Sequence, residues 1–135
     1  MIEYTYQAKP QSKRQYYLER GLRKTYLNFK QEKLTDDDLE TLAKQLGIEC
    51  DDYFKQCYTY RYYSIEMPLG IDDYDSEVNT IVTAKYPSNV MQSVINNYLL
   101  DPTNDKAKRE FEDMQQWRKE AKEFASDIKT LNDVL

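Results

Sequence analysis

The stretch SKRQYYLERGLRKTYLNFKQ, residues 12–31, decides how the N-terminal part of the chain is read. Leu18, Leu22, Tyr26 and Phe29 recur at three- to four-residue spacing, with basic side chains on the other faces. That period predicts an amphipathic helix over 12–31. Gly21 is the residue inside it that disfavours a helix. With this stretch helical, the chain as a whole reads as mainly α: a compact helical domain of about five helices, residues 1–135 forming one domain.

The flanks add detail. Residues 2–8 alternate polar and aromatic side chains (Tyr4, Tyr6), which suits a short strand ended by Lys9-Pro10. On the other side, Thr35 is placed as an N-cap with Asp38 at the third position, so a capping box opens a helix over 35–46. Leu34 and Leu39 form a hydrophobic staple across that cap, and Asp36, Asp37 and Asp38 favour the positive end of the helix dipole. Leu39, Leu42, Ala43 and Leu46 make the buried stripe, and Gly47 supplies the left-handed residue that ends it, with Ile48 following. Residues 51–67 read two ways. Phe54, Cys57, Tyr58 and Arg61 suit a helix, whereas the alternation of Tyr58, Tyr60 and Tyr62 suits a strand. A short helix running into an extended segment, pairing as a β hairpin from residues 2–8 and 58–67, accommodates both.

Residues 68–75 read as a loop between two halves, and residues 76–135 as a helical half. Val78, Ile81, Val82 and Lys85 mark one helix, closed by Tyr86-Pro87. Ser88 caps the next, with Val90, Met91, Val94, Ile95, Tyr98 and Leu99 inward. Asp101-Pro102 ends it and opens the last. There Ala107, Phe111, Met114, Trp117, Ala121, Phe124, Ile128, Leu131 and Leu135 keep near-heptad spacing.

Composition narrows the chemistry. The chain has 13 Tyr but no His, which removes the commonest general base, the commonest metal ligand and every triad built on imidazole. Two cysteines, Cys50 and Cys57, form no disulfide framework and cannot close a zinc site alone. Three glycines are too few and too scattered for a phosphate-cradling loop. Aligning Asp73, Asp75 and Glu77 with a calcium loop puts Val78 where glycine is needed and Ala84 where the closing carboxylate belongs. A non-enzymatic protein without metal or cofactor is the expectation. No apolar run approaches a membrane span, and the N-terminus lacks the pattern of a signal peptide, so a cytoplasmic protein with free thiols is expected.

Charge is polarised. Residues 1–33 hold eight basic against three acidic groups, a net of +5, within a chain of net charge −5. Such a chain can pair head to tail with itself, which makes a homo-oligomer one expectation. Arg14, Arg20, Arg23 and Lys24, interleaved with Tyr16, Tyr17 and Tyr26, are candidates to meet an acidic protein surface or nucleic acid. Tyr58, Tyr60 and Tyr62 are further candidates, because six aromatics between Tyr53 and Tyr63 are hard to bury at once. Leu39–Phe54 has helix-turn-helix spacing, yet its second helix would open with Glu49, Cys50, Asp51 and Asp52, which phosphates repel. A protein partner is therefore favoured over nucleic acid.

The stretch Ile81-Val82-Thr83-Ala84-Lys85-Tyr86-Pro87 leads to Asn96-Asn97-Tyr98, the Asp101-Pro102 break, and the helix running from Phe111 to Lys122. Residues 78–128 so arranged resemble the C-terminal part of small tailed-phage proteins encoded among the structural genes, near tail, baseplate or tail-assembly components. The resemblance implies a phage or prophage accessory protein, a virion component or assembly factor, in the host cytoplasm or the virion. The alternative is a nucleic-acid-associated regulator or a DNA-mimic inhibitor of host defence.

Overall fold

The computed structural model describes residues 2–68 and 73–134, with side chains described as far as Lys129. The elements run β1 (Tyr4–Gln7), β2 (Arg14–Glu19), β3 (Leu22–Lys33), α1 (Asp36–Leu46), α2 (Asp52–Cys57), β4 (Tyr60–Glu66), α3 (Tyr74–Lys85), α4 (Ser88–Leu100) and α5 (Asp105–Val134). They group into two compact units, residues 2–65 and 66–135. The expectation of a mainly helical domain is corrected. The chain is mixed α/β, 54% helix and 23% strand, with a four-stranded antiparallel sheet.

The correction lies in residues 12–31. They form the β2–β3 hairpin, not a basic helix. Arg20 (φ 52°) and Gly21 (φ 78°) both adopt left-handed backbone, which is the requirement of a two-residue type I′ turn. Glu19 stands opposite Leu22 across that turn, and the ladder continues to Arg14 opposite Leu27. Leu18 and Leu22, one helical turn apart in sequence, therefore lie on different strands and opposite faces. Aromatic and β-branched residues (Tyr16, Tyr17, Thr25, Tyr26, Phe29) suit the pleated surface.

The strand order is β1-β4-β3-β2. β1 pairs antiparallel with β4, from Tyr4 opposite Tyr63 to Gln7 opposite Tyr60. The pairing of residues 2–8 with 58–67 is thus present, but the two strands are far apart in the chain rather than joined by one turn. Lys30 (φ 56°) interrupts the extended backbone of β3, and Leu27, Asn28 and Phe29 are buried in succession instead of alternately. The segment before β2 is tied down by side chains. The Gln31 amide accepts from the Gln11 N–H (2.7 Å) and donates to its carbonyl (3.1 Å), while Asn28 Nδ2 donates to the Ser12 carbonyl at 2.6 Å.

α1 forms where its local signals place it. Thr35 Oγ1 accepts from the Asp38 N–H, and Asp38 Oδ2 accepts from the Thr35 N–H, both at 3.2 Å. Gly47 (φ 68°) ends the helix, and the Ile48 N–H donates to the Ala43 carbonyl at 3.0 Å, the six-to-one bond of a Schellman motif. Leu34, Leu39, Ala43 and Phe54 make one buried cluster, with Tyr6, Leu42, Cys50 and Tyr58 packed against it. Leu46, expected inside, is exposed. α2 is a six-residue turn of helix capped by Asp51, whose Oδ1 accepts from the Phe54 N–H at 2.8 Å.

The second unit is helical. α3 is capped by Asp73, which accepts from the Ser76 N–H at 2.8 Å, so the acidic cluster there serves a helix start. Asp72 and the rest of 69–72 lie outside the described residues. α5 begins after Asn104, which accepts from the Ala107 N–H at 3.0 Å, three residues beyond the expected Asp101-Pro102 start. α3 and α4 both pack on α5. Of its expected inward stripe, Ala107, Met114, Trp117, Ala121, Phe124 and Ile128 are buried, while Phe111 is half-buried. Leu131 and Leu135 fall outside the described side chains. Trp117 Nε1 donates to the Ile81 carbonyl at 2.9 Å, and Lys85 Nζ stands 4.7 Å from the Trp117 ring centroid. Tyr98 stacks on Phe111 at 4.3 Å. In α4, Val90 and Leu99 face out rather than in, and Ser88 is the first helical residue, with Pro87 at the cap position.

Candidate interaction surface

The β2–β3 hairpin carries four of the seven candidate residues. Its tip escapes burial on both faces. Tyr16 (46%), Tyr17 (52%), Leu18 (81%) and Leu22 (56%) are all exposed, although residues of these types are usually covered. Two faces follow from the register. Arg14, Tyr16 and Leu18 share one with Arg23, Thr25 and Leu27; Gln15, Tyr17 and Glu19 share the other with Leu22, Lys24 and Tyr26. On the first face the Arg23 guanidinium lies 4.4 Å from the Tyr16 ring centroid, and Arg14 Nη1 donates to the Tyr16 hydroxyl at 3.5 Å. On the second, Lys24 pairs with Glu19 at 2.9 Å, and Tyr17 meets Tyr26 edge-on at 5.5 Å. Arg20 occupies the turn itself, exposed.

β2 is an edge strand of the sheet. Residues flanking a two-residue turn form a hydrogen-bonded pair, and such pairs alternate along an antiparallel ladder. Glu19, Tyr17 and Gln15 thus bond to β3, in phase with the 2.8 Å bond from the Asn28 N–H to the Lys13 carbonyl. Arg14, Tyr16 and Leu18 turn their N–H and C=O groups to the open edge. An edge of this kind can accept a further strand.

The three tyrosine candidates fare differently. Tyr62 is buried (4% exposed), opposite Thr5 on β1 and hydrogen-bonded to Gln7; burial raises its phenol pKa. It belongs to the fold, and the expectation of it as a contact residue is corrected. Tyr60 is half-buried opposite Gln7. Tyr58 follows α2, stacked on Phe54 at 4.5 Å and tilted against Tyr6 at 5.3 Å. It does not join the hairpin residues; it lines a separate cleft of about 600 Å³ with Tyr6, Ile48, Asp51, Tyr53, Phe54 and Cys57.

That cleft and its neighbours make a run of rings on one face of β1 and β4. Tyr63 stacks on Tyr4 at 4.3 Å, and Tyr4 lies 6.4 Å from Tyr6, which meets Tyr58. Arg61, opposite Tyr6, bonds the Glu32 carboxylate and sits 4.7 Å from the Tyr4 ring centroid. Burial, then a hydrogen bond with Tyr4, pushes the Tyr63 phenol well above its ordinary range. The exposed apolar edge at Tyr16, Leu18 and Leu22 went unseen in the sequence, because a helix would have turned Leu18 and Leu22 inward together. The Arg-Gly pair at 20–21 between aromatic-rich runs was the signal that could have revealed it. No helix among the described residues is long and apolar enough to cross a membrane. No family model, curated protein or solved structure matches this chain.

Proposed function

We propose that this chain is a non-catalytic accessory protein that works by protein–protein contact, with the β2–β3 hairpin as its binding arm. The observation that supports it is the hairpin tip: Tyr16, Tyr17 and Leu18 stand exposed on the edge strand β2, with Leu22 exposed across the turn on β3, beside Arg20 and Arg23. Burying Leu18 and the two tyrosines against a partner would recover hydrophobic free energy that the isolated chain forgoes. Cations at the rim would select an acidic partner and speed encounter. The resemblance of residues 78–128 to small tailed-phage proteins suggests the setting, a phage or prophage assembly factor or virion component.

A nucleic-acid partner is the second reading, since tyrosines and arginines together suit stacking and phosphate contact. It is disfavoured by the engagement of Lys24 with Glu19 and of Arg23 with Tyr16. The test uses the intact chain with the structural proteins of the phage or prophage that encodes it, co-expressed pairwise. Leu18→Asp and the double reversal Arg20→Glu, Arg23→Glu alter exposed positions, so circular dichroism should be unchanged while the partner complex is lost. Complexes that survive both variants would remove the arm as the binding surface. Binding to duplex or single-stranded DNA that weakens steeply with salt would shift the assignment to nucleic acid.

A further inference from the structure

The cleft in the first unit is lined by four aromatic rings, the aliphatic Ile48, one carboxylate and one thiol, and by no lysine or arginine. Its size, about 600 Å³, suits a small molecule or a single side chain. Aromatic faces carry negative electrostatic potential and attract a cation placed over them, most strongly where water is excluded. The rings here are mutually braced: Tyr58 rests on Phe54 at 4.5 Å and against Tyr6 at 5.3 Å. Tyr53, 76% exposed, stands at the cleft without a core role. Asp51 spends one oxygen, Oδ1, on the Phe54 N–H, which leaves Oδ2 for a ligand. Arg61, whose charge acts on Tyr6, is held by Glu32 and the Tyr4 ring and does not line the cleft.

From this juxtaposition we propose that the cleft bounded by Tyr6, Tyr53, Tyr58 and Asp51 binds an alkylammonium group. The cationic head sits against the rings, and the Asp51 carboxylate neutralises it from the rim. A free quaternary amine and the methylated or plain ammonium of a partner's lysine offer the same chemistry. The site is independent of the hairpin arm, on which nothing here depends.

The test is a titration of the intact chain followed by NMR of the tyrosine ring protons. Probes are tetramethylammonium, choline, N-acetyl-trimethyllysine amide, and 3,3-dimethyl-1-butanol as the neutral isostere of choline. Saturable shifts confined to Tyr6, Tyr53 and Tyr58 are expected with the cations, and binding about fivefold or more weaker with the isostere. Trimethyllysine binding tighter than choline would identify a partner side chain as the occupant; the reverse would identify a small amine. Asp51→Asn keeps an N-cap that α2 tolerates and removes only the charge, so weaker cation binding by a similar factor is expected with the helix intact. Tyr53→Ala, at an exposed ring, should weaken it as well. The proposal is overturned by equal binding of choline and its isostere, by an unaffected Asp51→Asn, or by no shift at tens of millimolar probe.

Discussion

Replacing Trp117 by Phe should destabilise the helical unit by about 3 kcal/mol, and each contribution can be traced to a contact. The indole N–H bond to the Ile81 carbonyl, 2.9 Å and buried, is worth about 1 kcal/mol net. The Lys85 ammonium over the ring, at 4.7 Å, is worth about 0.5–1 kcal/mol, and only the part by which the indole exceeds a phenyl ring is lost. A smaller ring at a site only 3% exposed leaves a void and loses transfer free energy, together about 1–2 kcal/mol. Urea denaturation followed by far-ultraviolet circular dichroism measures the total, since the substitution removes the only Trp of the chain as a fluorophore. Lys85→Met separates the contributions, because it leaves the hydrogen bond and removes the charge. A loss below about 1 kcal/mol for Trp117→Phe would refute the packing described for α3 on α5.

Other expectations bear on the first unit and on pH. Gly21→Val forces a β-branched residue into a left-handed turn position, so it should cost about 1–2 kcal/mol or more and raise the exchange rates of the hairpin amides; unchanged amide protection would refute the turn assignment. Thr35→Ala removes the acceptor for the Asp38 N–H and should cost about 1 kcal/mol, with Thr35→Ser restoring most of it in the same melt. Asp38 and Asp73 are held below the ordinary carboxylate range by hydrogen bonds from Thr35 and Ser76, and Asp101 by bonds from Thr103. Their stabilisation is present above the unfolded value near pH 4 and is lost as pH falls through the folded values, so thermal midpoints should drop on acidification. Burial raises the phenols of Tyr6, Tyr62, Tyr63 and Tyr86. Stability from their neutral forms is complete below about pH 10 and declines above it, and an ultraviolet phenolate titration should show a late-titrating group.

The parts of the fold that were legible are those specified by neighbours in sequence. Thr35, Asp38 and Gly47 fix both ends of α1 without reference to any other element. The α5 stripe from Ala107 to Ile128 repeats with the helix period and is buried except at Phe111, which is half-buried. Residues 12–31 were opaque because two periods fit the same letters. Leu18, Leu22 and Tyr26 match a helix, while Thr25, Leu27 and Phe29 match a strand, and what decides between them is the sheet itself. Of the proposed site residues, Arg14, Arg20, Arg23 and Lys24 share one hairpin rather than a helix, Arg14 and Arg23 on one face, Lys24 on the other and Arg20 in the turn. The alternation of Tyr58, Tyr60 and Tyr62 does not say which of the three the fold covers, and it is Tyr62 that is buried. The cleft at Asp51 and Tyr53 depends on Tyr6 arriving from β1, some forty-five residues away in sequence, and no local pattern announces that.

That separation has a consequence for how the protein is made. The β2–β3 hairpin closes through a two-residue turn, so it can zip up within microseconds of its synthesis. β1 cannot: the nearest of its partners, Tyr60 for Gln7, emerges about fifty residues later. At translation rates of roughly 5–20 residues per second, the first strand waits about 3–10 s with its tyrosines unpaired. Both β1 and β3 wait for β4, so the sheet completes by a long-range closure while the β2–β3 hairpin is already in place. In this interval the nascent chain shows Tyr4 and Tyr6 to whatever chaperone or partner is at hand.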